Sequence, residues 1–183
     1  MFTKVSNELA ESSPVILRTP GSNRAAMTPS ITTRTATEND DAFLFELFRA
    51  VRLPEFAHAG LGPAQLDLLM SIQYSGQKQT YGAEYAGGNE IVLLGGQAIG
   101  RIWLYRGTAE HHLVDIALMP EFRNRGIGTA LMKDAINAAR AAGMRLRCSV
   151  AATNAGSLRF HQRLGFQMAG QDDLYYDLAL EPQ

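Results

Sequence analysis

A mixed α/β domain built around a central sheet is what this sequence predicts, and three observations carry it. Strand-type and helix-type segments follow one another from about residue 31 in the order β-αα-βββ-αβ-αββ. The strand-type segments alternate apolar residues at every second position, and the helix-type segments at every third or fourth. The chain has 183 residues, 46% of them hydrophobic, which suits one domain with one sizeable core. A sheet covered by helices buries both kinds of apolar face.

Residues 1–29 are rich in Ser, Thr, Asn and Pro without periodicity. They read as a flexible N-terminal extension, pinned at most by Val15-Ile16-Leu17, with Met27 as an alternative start. The domain is expected over 30–183. Ile31–Ala36 is β-branched and predicts a first strand, and Thr37-Glu38-Asn39-Asp40 supplies helix-capping side chains. Phe43, Leu44, Leu47, Phe48 and Val51 then recur at helical spacing until Pro54, Gly60, Gly62 and Pro63 break the run. A second helix carries Leu66, Leu69, Met70 and Gln73, and from about Thr80 the pattern turns to strands. Ile91–Leu94 and Ala98–Tyr105 flank Gly95-Gly96 as a hairpin, and a third strand covers about 110–118. A helix over 126–142 ends at Gly143, followed by a strand at 144–150, a short helix at 154–164 and strands near 166–170 and 173–180.

Composition excludes several function classes. A net charge of -1 offers no basic field for nucleic acid or an anionic membrane, and nothing approaches the length of an apolar membrane helix. No signal-peptide core is present, so the expected location is cytoplasmic. The single Cys148 rules out a disulfide framework and a cysteine zinc cluster, and alternation places it on an apolar strand face. His111 and His112 make a poor metal pair, since adjacent strand residues diverge; no metal is expected.

The most informative stretch is 113–128, Leu-Val-Asp-Ile-Ala-Leu-Met-Pro-Glu-Phe-Arg-Asn-Arg-Gly-Ile-Gly, running from a strand into a helix that continues with Thr129. Unpaired backbone N–H groups and the positive end of a helix dipole meet there beside Arg123 and Arg125, a combination that favours a phosphate or pyrophosphate. Side chains at Gly126 and Gly128 would hold the anion away from the backbone. An ordinary tight strand–turn–helix is the competing reading of this loop taken alone.

Arg123-Asn124-Arg125-Gly126-Ile127-Gly128 resembles the Arg/Gln-x-x-Gly-x-Gly/Ala loop of the GNAT superfamily of acyl-CoA-dependent N-acetyltransferases, and Leu118–Phe122 resembles its usual lead-in. Downstream, Asn154-Ala-Gly-Ser157-Leu-Arg-Phe160-His161-Gln-Arg-Leu-Gly165-Phe166 is similar to the family's Asn-x-x-Ser/Ala-x-x-x-Tyr-x-x-x-Gly-Phe signature. The resemblance spans about 31–180 and is specific over 112–166. It implies a three-layer fold with helices on both faces of a mixed, mostly antiparallel sheet of six to seven strands. A splayed, bulged strand pair would form the acyl-CoA cleft. It further implies acetyl-CoA as the acyl donor. Arg123, Asn124, Arg125, Gly126, Ile127, Gly128 and Thr129 would hold the pyrophosphate. Ile116, Ala117 and Leu118 would pair with the pantetheine, and a Leu118-side N–H would polarise the thioester carbonyl. Asn154, Ser157, Phe160 and His161 would close the other side.

Direct attack by an amine needs a group to take its proton and benefits from one that protonates the departing thiolate. His161 replaces the family's usual Tyr; it is either that acid or a packing residue against CoA. Tyr175 and Tyr176 are weaker sources of a hydroxyl. His112 sits where some family members place a base, and simple alternation puts it on one face with Val114, Ile116 and Leu118, leaving His111 and Asp115 opposite. Asp115 is otherwise a charge partner for an arginine. The acceptor pocket is expected from about Arg52–Gly62, with Leu53, Glu55, Phe56 and His58, together with the last two strands; Asp172 and Asp173 read as turn residues. The expected function is an N-acetyltransferase moving an acetyl group from acetyl-CoA to a primary amine of a small molecule, amino acid or peptide. The alternatives are a catalytically weak acyl-CoA-binding or regulatory module, and a toxin acetylating aminoacyl-tRNA. A homodimer is compatible with the chain.

Overall fold

The structure, a computed structural model, describes residues 30–182; the expected extension over 1–29 lies outside them. The order is β1 (Ile31–Thr35), α1 (Asp41–Arg52), α2 (Pro63–Glu84), β2 (Asn89–Leu94), β3 (Gln97–Arg106), β4 (His111–Leu118), α3 (Ile127–Ala141), β5 (Leu146–Ala151), α4 (Ala155–Arg163), β6 (Gln167–Gln171) and β7 (Tyr175–Leu180). The strands form one seven-stranded sheet in the order β1-β2-β3-β4-β5-β7-β6. Only the β4–β5 pairing is parallel; the others are antiparallel.

Two apolar clusters cover the two faces. α3 packs Ile127, Leu131, Met132, Ala135, Ile136 and Ala139 on Ile102, Leu104, Leu113, Leu146, Cys148 and Val150, and α4 adds Leu158, Phe160 and Leu164. On the opposite face α1 and α2 gather Leu44, Phe48, Met70, Tyr74 and Ile91. Cys148 is buried in the first cluster, where desolvation and the charge of Asp177 push its thiol up to about 12, so it is inert.

The element order expected from the sequence holds with one correction. Residues 80–84 are not the start of the strand region but the last turn of α2. Gly76 and Gly82 weaken the helical signal, yet Met70, Tyr74, Tyr81 and Tyr85 recur on one face and dock on the sheet, which overrides local propensity. Trp103 fixes that end, its Nε1–H donating to the carbonyls of Tyr85 at 3.2 Å and Gly87 at 2.8 Å.

Candidate active site

β4 and β5 pair only over His111–Leu113 and Leu146–Cys148. Beyond that, β4 continues along β3 to Leu118 and β5 along β7 to Ala151, so the two strands part into a fork. Val114 has no partner on β3, since Trp103 faces Asp115 and Leu104 faces Leu113; it is the extra residue of a β-bulge. Past the bulge, the Met119 N–H donates to the Ile99 carbonyl at 2.9 Å. By alternation the Ala117 N–H also points to β3, and the Ile116 and Leu118 edges turn into the fork. These two residues therefore offer a strand edge that β5 does not cover.

The bulge corrects the expected faces of β4. A one-residue insertion inverts alternation beyond it. Leu113, Ile116 and Leu118 all face the α3 cluster, whereas His112 shares the α2 face with Asp115. His112 therefore does not share a face with Ile116 and Leu118. Asp115 pairs with Arg101, whose guanidinium also donates to Gln77 Oε1 and lies over the Trp103 ring, 5.7 Å from its centroid.

At the end of β4, the Arg123 Nε–H donates to the Leu118 carbonyl at 2.9 Å and ties the loop to the strand edge. Arg125 lies over Phe122, 5.5 Å from the ring centroid. Asn124 and Gly126 take left-handed backbone at φ 59° and 80°, which turns the chain into α3. No acceptor among the described residues takes the N–H groups of Arg125 to Thr129, and nothing lies within 4 Å of where a Gly126 Cβ would be. This open nest of donors at a helix start fits the diphosphate of CoA. Phe160 Cζ would lie 3.7 Å from a Cβ at Gly128, so the two sequence motifs meet at the base of the nest.

The second motif needs refinement. The Asn154 side-chain carbonyl caps α4 by accepting from the Ser157 N–H at 2.9 Å, leaving its NH₂ and one carbonyl lone pair for a ligand. His161 is 3% exposed, between Phe160 and Phe166, with ring centroids at 5.3 and 5.4 Å. Its Nδ1–H donates to the Ser157 carbonyl at 2.9 Å, and burial lowers its pKa. The imidazole is then neutral, and Nε2 carries a lone pair with no partner among the described residues. With its proton on Nδ1, a neutral His161 has none to give at Nε2, which favours the packing alternative over the acid.

His112 has a different setting. It stacks on Tyr85 with centroids 4.9 Å apart, beside Tyr105, its partner across the β3–β4 ladder. Desolvation, with help from Arg147, lowers its pKa despite Glu110, Asp177 and Glu84 nearby. It is a neutral imidazole on the α2 face at the point where the fork opens. Tyr81, T-shaped on Trp103 with centroids 5.7 Å apart, and Tyr85 roof this face, their hydroxyl pKa values raised mainly by burial.

The expected 52–62 loop contributes less. Leu53 and Phe56 pack into the α1–α2 cluster, and Glu55 pairs with Arg52 at 3.2 Å. Asp172 is a turn residue, its Oδ1 accepting from the N–H groups of Leu174 at 2.8 Å and Tyr175 at 2.6 Å. Tyr176 packs in the core, while Tyr175 lies on the α2 face across from Ala151. Sequence reasoning missed Tyr81, Tyr85, Trp103 and Asp177. The aromatic repeat through 74, 81 and 85 was the available signal for the first two. Among the described residues, no cluster of His, Cys, Asp and Glu could hold a metal ion, and no helix is long and apolar enough to cross a membrane.

Known proteins are similar to this chain in sequence and in fold. The chain is 44% identical over 63 residues to an uncharacterised N-acetyltransferase of Methanocaldococcus jannaschii, covering 34% of this chain and 27% of that one. It is 35% identical over 68 residues to the L-methionine sulfoximine/L-methionine sulfone acetyltransferase of Pseudomonas aeruginosa, covering 37% and 38%. The aligned segment thus spans well under half the length of these curated relatives. In fold it is similar to the PaiA N-acetyltransferase of Thermoplasma acidophilum, solved in complex with coenzyme A, with TM-score 0.65, 19% identity, and 83% and 99% of the two chains covered. An acetyltransferase of Thermus thermophilus gives TM-score 0.61 at 19% identity, covering 82% and 96%. The family model described as acetyltransferase (GNAT) family matches residues 54–166, more than half of the chain. With that match added to the bulged fork and the donor nest, the chain belongs to the GNAT acetyltransferase family.

Proposed function

We propose that this protein is an N-acetyltransferase that moves the acetyl group of acetyl-CoA to a primary amine. The observation that carries the reading is the fork itself: the Ile116–Leu118 edge, which β5 leaves unpaired and of which Arg123 takes only the Leu118 carbonyl, leads directly into the unpaired N–H groups of Arg125–Thr129. An extended pantetheine arm fits along that edge as a strand would, with its diphosphate in the nest and Arg123 and Arg125 beside it. The Leu118 N–H, turned into the gap, would donate to the thioester carbonyl oxygen as charge builds on it.

The amine approaches from the α2 face, where His112 is neutral. His112 takes one proton from the incoming ammonium, and the freed nitrogen attacks the thioester carbon. The C–S bond breaks as the C–N bond becomes an amide. The thiolate leaves and takes up, through water, the second proton that the nitrogen sheds as it becomes an amide, because the neutral His161 has none to give at Nε2. That same feature favours a second reading, an acyl-CoA-binding module with little turnover. A donor drawn from the acetyl-CoA pool points to the cytoplasm as its place of work.

The test is thiol release from acetyl-CoA across a panel of amines, with donor binding measured alongside. Amine-dependent release supports the enzyme. Tight donor binding with no release for any amine would replace it with the binding module.

A further inference from the structure

The walls of the acceptor side carry an unbalanced charge pattern. On the α2 face, β3 and β4 contribute Arg101, His112 and Asp115, β5 contributes Arg147 and Ser149, and β7 contributes Tyr175 and Asp177. Arg101 is committed to Asp115, and Arg147 pairs with Glu110 at 3.1 Å. Asp177 has no cation among the described residues. Its Oδ1 accepts from the Ser149 hydroxyl at 2.7 Å. Ser149 is the first β5 residue beyond the last pairing with β4, so this carboxylate stands where the fork opens.

Asp177 is also kept clear on its β6 side. Gly170 is its partner across the β6–β7 ladder, after a register shift between Met168 and Gly170. A Cβ at Gly170 would already lie 3.6 Å from Asp177 Oδ2, and no donor among the described residues reaches that oxygen. Glu84, at the end of α2, adds a second carboxylate with no cation among the described residues, near enough to act on both Tyr85 and His112. Tyr81 and Tyr85 add aromatic rings, whose faces attract cations.

We infer that Asp177 is a specificity-determining residue that selects an acceptor with a second positive charge and no α-carboxylate, a diamine-type substrate. This rests on the acetyl-transfer reading above. One ammonium loses its proton to His112 and is acetylated, while the other stays charged against Asp177. An α-amino acid would bring its carboxylate to a wall whose two arginines are already paired.

The experiment compares kcat/KM for an unbranched alkyl diamine, the alkyl monoamine of equal length, and L-methionine sulfone, in the wild type, Asp177→Asn and Asp177→Ser. The expected order in the wild type is diamine, then monoamine, then amino acid. Either substitution should raise KM for the diamine about tenfold relative to KM for the monoamine, with acetyl-CoA affinity within about twofold. Equal use of the diamine and the amino acid, or a diamine KM unmoved by both substitutions, overturns the inference while leaving the enzyme in place. Donor binding without thiol release from any of the three amines removes the acetyl-transfer reading and the inference with it.

Discussion

The donor side and the acceptor side of the fork are built in different ways. On the proposed donor side the groups on offer are main-chain atoms: the Ile116–Leu118 edge and the N–H groups of Arg125–Thr129. They follow from a strand, a bulge, a left-handed glycine and a helix start that are contiguous in sequence. On the acceptor side the groups are side chains drawn together from α2, β3, β4, β5 and β7. A backbone site tolerates change in most side chains but depends on a few conformations. A side-chain site can be re-specified one residue at a time without disturbing the fold.

The largest effect expected is on chemistry. His112→Gln keeps a polar side chain but removes the base, and should lower kcat by about a hundred- to a thousandfold with donor affinity nearly unchanged. Because the His112 pKa is lowered, wild-type kcat/KM should fall on acidification with a midpoint below 6.5, as the imidazole gains a proton and stops serving as base. The variant should lack that limb. The groups acting on this titration are Tyr85, Glu84, Tyr105, Glu110, Arg147 and Asp177. A pH–rate profile unchanged by the substitution would remove His112 from the mechanism.

On the donor side, Gly126→Glu should weaken CoA by about a hundredfold through repulsion of the diphosphate and loss of open space. The positive φ adds about 1–2 kcal/mol of backbone strain, which Gly126→Ala measures separately. Calorimetric titration of both variants, with circular dichroism to check the fold, separates the two costs. Retained affinity in the Glu variant would break the backbone account of this side.

Asp115→Asn probes whether acceptor-side charges also support the fold. It strands Arg101, whose side chain is 9% exposed; Asp115 is 27% exposed. That partial exposure reduces the cost to about 2–3 kcal/mol, measured by urea denaturation, with donor affinity of the folded protein unaffected. A loss under about 0.5 kcal/mol would make the pair a surface feature.

The smallest effect expected is at His161. His161→Phe should change kcat by less than about threefold and leave the pH–rate profile alone, because the native ring is neutral. A lowered folded pKa also means that the unfolded chain binds more protons just below 6.5. The wild type therefore loses stability as pH falls through that window, and the Phe variant should lose less. A large drop in kcat that is confined to low pH, where the imidazole holds a second proton, would restore His161 as the acid.

The two sides also differed in how readable they were. Arg123–Gly128 and Asn154–Phe166 are short, local patterns, and they met in space as Gly128 against Phe160. The seven strands and both helical faces followed from periodicity. The bulge at Val114 was not locatable by alternation, because no residue type marks it, and it reversed the face assigned to His112. Burial holds His161 neutral against the Ser157 carbonyl, four residues back on α4, and that carbonyl only fixes the proton on Nδ1, which rotamer and packing decide. Asp177 and Ser149 lie 28 positions apart, and only the β5–β7 register joins them. The last turn of α2 was hidden by Gly76 and Gly82, which tertiary packing overrode.

The central claim is that the donor lies along the fork edge with its diphosphate in the α3 nest. Backbone amide NMR during titration with acetyl-CoA tests it most directly. The largest shifts should fall on Ile116, Leu118 and Arg125 to Thr129, with β1, β2 and α1 unmoved. Shifts concentrated away from the fork, or absent at Arg125–Thr129 while acetyl-CoA binds, would contradict the account.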